Sequence, residues 1–110
     1  MTHAVIFEKS SSHEIVGFQT EGHAGYADAG SDIVCAAISV LVINTINSVE
    51  QFTDSDCTVT QDEENAGIYF RVNSSKNPKE LQVLLQSLVL GLSGVAEGNA
   101  DYLSITFKEV

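Results

Sequence analysis

A histidine and a cysteine lie close together in one short, glycine-rich segment of this chain. His23 follows Gly22, and Cys35 comes five residues after Gly30, within the apolar run that begins at Ile33. Unpaired backbone N–H groups and the positive end of the helix dipole favour the thiolate form of a cysteine at a helix start. We therefore expect Cys35 in the first turn of a helix, with the amides there available to a developing oxyanion. A nearby imidazole would complete a nucleophile and base pair.

Structural alternatives exist for both residues. A cysteine within a run of Ile, Val and Ala is most often a small buried apolar side chain, and composition alone favours that interpretation of Cys35. For His23 the alternative is an ordinary solvent-exposed histidine at the end of a strand. The functional interpretation therefore depends on the two residues acting as a pair.

Two polar residues flank Cys35 at spacings that place them near it. Asp32 has three interpretations: a helix N-cap, a residue that orients His23, or one that positions substrate, and the cap is the most common. Ser39 follows Cys35 by one helical turn, where its hydroxyl either touches the site or bonds back to the backbone. We expect Asp32 and Ser39 to be supporting residues at most.

The segment between the histidine and the cysteine has glycines at both ends. Gly25, Tyr26 and Gly30 define a stretch of mostly small residues that could open for a peptide and close over it. An ordinary connecting loop is an equally good interpretation. The segment is therefore a candidate substrate-gating loop.

The string GHAGYADAGSDIVCAAIS, which spans Gly22 to Ser39, resembles the signature of the ribosomal-processing cysteine protease family (Prp, YsxB-like). The resemblance implies a small cytosolic bacterial enzyme that removes a short N-terminal extension from the twenty-seventh protein of the large ribosomal subunit. It also implies a homodimer and no cofactor. His23 and Cys35 match the catalytic pair of the family, and Asp32 and Ser39 match two further positions of its motif.

The net charge of the chain favours some classes of binding partner over others. The 110 residues carry 5 Lys plus Arg against 15 Asp plus Glu, a formal net charge of −10, which repels nucleic acid and anionic membranes. A basic protein is the better match, although many soluble proteins are acidic only for solubility. Two hypotheses follow: a cysteine endopeptidase, or a non-catalytic acidic binding module for a basic ribosomal or assembly protein. A thiol redox sensor using Cys35 is a weaker third.

Composition also bears on location and metals. The N-terminal residues lack a secretory pattern and the apolar stretch from Ile33 to Ile46 is shorter than a membrane span, so a cytoplasmic protein is expected. Two cysteines, Cys35 and Cys57, are too few for a disulfide framework and should be free thiols. Zinc bound by His23 and both cysteines is disfavoured because the usual close ligand pairs are absent. We expect no metal and no cofactor.

The periodicity of apolar residues predicts one α+β domain over residues 1–110, with the order ββαββαβ. Two hairpins, of strands 3–8 with 14–21 and 56–61 with 68–72, precede one helix each, and residues 102–107 form a last strand. The first helix spans 33–52. In the second, Asn77 is the expected N-cap, Pro78 the first helical residue and Gly98 the stop. The expected architecture is a mostly antiparallel sheet covered by two helices.

Overall fold

The computed structural model describes residues 1–22 and 29–110, with the backbone alone at residues 29–32. The elements in chain order are β1 (Thr2–Glu8), β2 (Ile15–Glu21), α1 (Ala29–Phe52), β3 (Ser55–Asp62), β4 (Gly67–Ser75), α2 (Pro78–Gly98) and β5 (Leu103–Glu109). The order ββαββαβ and the α+β class are as predicted from the sequence.

The strands form one five-stranded sheet in the order β3-β4-β2-β1-β5. Three of its neighbouring pairs are antiparallel, and the two hairpins are joined to each other through β2 and β4. The last strand returns beside the first as a parallel neighbour, with Thr2 opposite Leu103. The sheet is therefore mostly antiparallel, as expected, and β1 is held between two partners.

Both helices contribute to a core on one face of the sheet. Alternation along β1 buries Thr2, Ala4 and Ile6, because successive side chains of a strand point to opposite faces. The rings of Phe18 and Phe70, paired across β2 and β4, stack with centroids 5.0 Å apart. The helices add apolar side chains at helical spacing: Val34, Ile38, Val42, Val49, Leu81, Leu85, Leu88 and Leu92.

The first helix begins at Ala29, four residues earlier than predicted. Cys35 is accordingly the seventh residue of α1 and lies in its second turn. Gly30 and Asp32 belong to the helix itself, so Gly30 is not the end of a loop and Asp32 is not an N-cap. The prediction was wrong because Gly30, Ser31 and Asp32 are typical loop and cap residues, yet here they belong to the first turn of the helix, before its apolar run.

The second helix starts at Pro78 as predicted, but its N-cap side chain acts elsewhere. Asn77 makes no side-chain bond to the helix; its Oδ1 accepts a hydrogen bond of 2.7 Å from the Asp54 N–H. The backbone N–H of Asn77 donates to the Ser75 hydroxyl at 3.0 Å. Asn77 therefore ties the start of α2 to the turn that follows α1. At the other end the helix includes Gly98, and Asn99 is the C-cap.

Among the described residues, two helical segments are long and apolar enough to cross a membrane: Ile33–Phe52 of α1 and all of α2. The first is longer than the apolar stretch considered from the sequence because the helix continues beyond Ile46. Core helices of soluble proteins meet the same criteria, and both of these place buried residues against the sheet.

Candidate active site

A cavity of about 230 Å³ opens where β1 begins and β2 ends. One wall comes from α1, another from the inner face of the sheet and a third from the β3–β4 hairpin. Its lining consists of Thr2, Thr20, Gly22, Cys35, Ile38, Ser39, Val42, Ala66 and Ile68.

The helical wall follows from the spacing of its residues. Ile38, Ser39 and Val42 follow Cys35 by three, four and seven positions, which places all four residues on one face of α1. Ile38 and Val42 are buried and hold that face against the sheet, whereas Cys35 is half-buried and Ser39 is exposed. The sulfur of Cys35 thus lies at the boundary between the core and a solvent-accessible cavity, where a nucleophile can reach a peptide.

The sheet wall is unusually polar for a core face. Thr2 and Thr20 are each 5% exposed, and both line the cavity. The hydroxyl Oγ1 of Thr2 lies 3.9 Å from the Sγ of Cys35, and either atom can be the donor. Among the described residues, Thr2 is the side-chain hydrogen-bond partner of the Cys35 sulfur.

Gly22 links the strands to the hairpin wall. Its φ of +101° is in the left-handed region that favours glycine. Its N–H donates to the Asn65 carbonyl oxygen at 3.0 Å, which holds the β3–β4 turn beside the end of β2 and brings Ala66 to the cavity. The residue immediately before His23 is therefore fixed by both its conformation and its hydrogen bond.

The structure unites some of the predicted site residues. Cys35 and Ser39 line the same cavity, as their spacing suggested. His23, Gly25 and Tyr26 lie outside the described residues, as does the side chain of Asp32.

One element of the predicted chemistry is corrected by the helix boundary. The unpaired amides of an α-helix belong to its first turn, and Cys35 is the seventh residue of α1. In regular helical geometry, its N–H is directed at the carbonyl of residue 31. Neither the free amides nor the strongest part of the helix dipole is therefore at Cys35, and its own N–H is not available to an oxyanion.

Sequence reasoning missed the two threonines of the cavity. The alternation of β1 contained the necessary signal, because Thr2 has the same parity as the core residues Ala4 and Ile6. What the sequence lacked was the register that places Ala4 opposite Thr20 and both threonines beside α1. A threonine on the inner face of a strand is otherwise indistinguishable from a core residue.

The second cysteine has a different environment. Cys57 is half-buried in β3, packs against the core, and is not part of the cavity lining. Burial, followed by the charges of Asp56 and Glu50, raises the pKa of the Cys57 thiol above its usual value. These effects disfavour the thiolate of Cys57.

Neither cysteine belongs to a metal-like cluster in the parts of the chain that the structure describes. There, the group of three potential ligands within 4.8 Å consists of Glu8, His13 and Glu109. It lies at the opposite end of β1 from Thr2, and His13 and Glu109 are exposed. His3 is also outside the cavity lining; its Nδ1 lies 2.7 Å from the Ser104 hydroxyl.

Comparison with known proteins identifies the family. The family model for the cysteine protease Prp matches residues 1–104. The chain belongs to the Prp family. It is 26% identical over 101 residues to the ribosomal processing cysteine protease Prp of Bacillus subtilis, covering 89% of this chain and 90% of that protein.

Solved Prp structures have the same fold. A crystal structure of the essential ribosomal processing protease Prp from S. aureus with a substrate peptide has a TM-score of 0.88 and 21% identity, covering 98% of this chain and all of the other. A second, with a covalently linked product peptide, has a TM-score of 0.87 and 22% identity over the same shares. As a Prp family member this chain is a cysteine protease.

Proposed function

We propose that this protein is an endopeptidase that removes the N-terminal extension of the twenty-seventh protein of the large ribosomal subunit, and so supports ribosome assembly. The observation that carries the proposal is the position of the Cys35 sulfur in a cavity walled by α1, the inner face of the sheet and the β3–β4 hairpin. This location gives a peptide access to a cysteine in a chain that belongs to a cysteine protease family. The other thiol, Cys57, lies outside the cavity and has a raised pKa.

In the proposed mechanism, the Cys35 thiolate attacks the scissile carbonyl carbon and forms a tetrahedral intermediate. The C–N bond then breaks, and His23, as imidazolium, gives its proton to the leaving amine. A thioester now joins Cys35 to the N-terminal segment, and the shortened protein leaves as the amine. His23 then takes a proton from a water molecule, whose oxygen attacks the thioester carbon. The C–S bond breaks, which releases the N-terminal segment as a carboxylic acid and regenerates the thiolate.

Charge around the cavity supports a basic substrate. The β3–β4 turn that supplies Ala66 to the cavity also carries the carboxylates of Asp62, Glu63 and Glu64, all on exposed residues. Hydrogen bonds from Asn65, chiefly from its side chain, lower the pKa of Asp62 and so favour the charged form of this carboxyl. The turn and the overall charge of −10 would attract a Lys- and Arg-rich ribosomal protein and repel nucleic acid.

The proposed setting is the cytoplasm, without a membrane, a metal or a cofactor. Cys35 and Cys57 are both free thiols, which suits a reducing compartment.

We also propose a homodimer as the working form. Val83 and Leu90 are 66% and 75% exposed and lie seven residues apart on the outer side of α2, so a second copy could cover both. Sedimentation equilibrium tests this: Leu90→Asp should reduce the mass from that of two chains to one. If the Leu90→Asp variant remains a dimer and the Val40→Asp variant is a single chain, the contact lies on α1 instead.

The decisive experiment follows the intact mass of the N-terminally extended ribosomal protein during incubation with purified enzyme. Wild type should release one N-terminal peptide, whereas Cys35→Ala and His23→Ala should release none while remaining folded. Cys57→Ala and His3→Ala are matched controls, since each removes the same side-chain type outside the cavity, and both should retain activity.

Other outcomes would contradict the proposal in distinct ways. An unchanged substrate mass despite measurable binding would support the acidic binding module. Cleavage by Cys35→Ala at the wild-type rate would remove Cys35 as the nucleophile. Reversible oxidation of Cys35 with no cleavage of any peptide would favour the redox sensor.

A further inference from the structure

We infer that Thr2 is a positioning residue for the Cys35 nucleophile: its hydroxyl donates to the sulfur, fixes the side-chain orientation and favours the thiolate. This inference rests on the proposed role of Cys35 in catalysis. The contact joins the second residue of the chain to one that is 33 positions away, with 3.9 Å between Oγ1 and Sγ.

Thr2 is anchored firmly enough to orient another group. Its N–H donates to the Tyr102 carbonyl oxygen at 2.9 Å, and it pairs with Leu103 of β5, a residue only 2% exposed. The branched β-carbon also restricts the side-chain rotamer of a threonine. The hydroxyl is thus held in place by β1, and the start of β1 is held by its pairing with β5.

Burial makes the contact chemically significant. Thr2 is 5% exposed, and a buried hydroxyl needs a hydrogen-bond partner. Within the described residues, the partner of its side chain is the sulfur of Cys35. A thiolate accepts a hydrogen bond from a hydroxyl more strongly than a thiol does, so the arrangement favours the charged form.

The helix boundary increases the need for such a donor. Cys35 lies beyond the first turn of α1, where the effect of a helix dipole has largely decayed. A hydroxyl from a neighbouring strand provides local stabilisation that the helix start cannot. Thr2 does not need to touch substrate for this role.

Thr20 offers a matched control in the same cavity. It is also a threonine, is also 5% exposed and also lines the cavity, but it has no described hydrogen bond to Cys35. Replacing either threonine by valine removes one hydroxyl and keeps the side-chain shape. Only the Thr2 substitution removes the contact with the sulfur.

The test measures the pH dependence of Cys35 alkylation by iodoacetamide in a Cys57→Ala background. No Lys or Arg lies between Lys9 and Arg71, so trypsin leaves both cysteines in one peptide. Without Cys57, the mass gain of that peptide measures the alkylation of Cys35 alone. A C-terminal tag keeps the chain start unaltered. The ultraviolet absorbance of the thiolate follows its formation independently of alkylation.

For Thr2→Val we expect the midpoint of alkylation to rise by about 0.5–1 pH unit, which is about a 3- to 10-fold slower reaction below the midpoint. Thr2→Ser should restore the wild-type midpoint, and Thr20→Val should leave it unchanged. In peptide cleavage, Thr2→Val should lower kcat/KM by a similar factor at acidic pH, and less where the thiolate is fully formed.

A Thr2→Val midpoint equal to that of wild type would overturn the inference, as would an equal shift in Thr20→Val. If Thr2→Val does not fold, as judged by circular dichroism, Thr2→Ala takes its place. Because alkylation and absorbance require no substrate, they test the contact even if no peptide is cleaved. Failure of the proposed function is therefore distinguishable from failure of this inference.

Discussion

Gly22→Ala should destabilise the protein and disturb the site together. Gly22 has a φ of +101°, and an L-residue in a sparsely populated backbone region costs about 1–3 kcal/mol. An added Cβ would also lie 2.5 Å from the Met1 carbonyl oxygen and 3.5 Å from the Thr2 Cα. Because these are backbone atoms, the start of β1 must shift, and Thr2 shifts with it.

The expected loss in the free energy of unfolding is therefore at least about 1–3 kcal/mol. Scaled to a chain of 110 residues, each kcal/mol lowers Tm by about 4 °C, so Tm should fall by about 4–12 °C. Circular dichroism and urea unfolding measure this, and peptide cleavage at low temperature measures activity of the folded variant. We expect reduced cleavage even there, since Gly22 adjoins His23 and contacts the strand that holds Thr2.

Gly94→Ala is the matched control because its Cβ would meet nothing within 4 Å. Within α2, alanine should stabilise the helix by up to about 1 kcal/mol relative to glycine. A Gly22→Ala variant with the Tm and cleavage rate of wild type would refute the reasoning from φ and the Met1 contact. Equal destabilisation of both variants would refute the distinction between their environments.

Two further substitutions test the core and the acidic turn. Leu85 is fully buried, so Leu85→Ala should lower the free energy of unfolding by about 2–5 kcal/mol. Phe52→Ala, at a 71% exposed position, should lower it little, as measured by urea unfolding. Asn65→Ala should raise the pKa of Asp62 because it removes the side-chain hydrogen bond that chiefly lowers it, and carboxyl NMR titration measures this. A carboxyl whose pKa is lowered in the folded state contributes stability above its unfolded pKa, and this contribution is lost as the pH falls through the folded pKa. An unchanged Asp62 titration in the variant would contradict the assignment.

The regular elements were predictable because their apolar periods are clear. The leucines of α2 recur at helical spacing, and β1 and β2 alternate, so their types and order follow from the sequence. The ends were less predictable. β4 extends from the predicted 68–72 to Gly67–Ser75, because polar residues continue the ladder with β3 and the Ser55 and Ser75 hydroxyls meet at 2.7 Å.

The candidate site was predictable only in the part that lies on one element. Cys35 and Ser39 share a helix face, and their spacing alone places them together. The strand residues of the cavity required the register of β1 with β2 and the parallel return of β5, which no local pattern specifies. Thr2 was missed for this reason, although its burial follows from simple alternation.

The corrected helix start changes the account of how the nucleophile is activated. A cysteine in the first turn would obtain anionic stabilisation from free amides, but Cys35 in the second turn does not. Local donors must therefore provide the stabilisation, and among the described residues the hydroxyl of Thr2 is in contact with it. If His23 supplies the proton in the proposed reaction, Thr2 and His23 have separable roles: loss of Thr2 should shift the pH profile of cleavage, whereas loss of His23 should abolish cleavage at every pH.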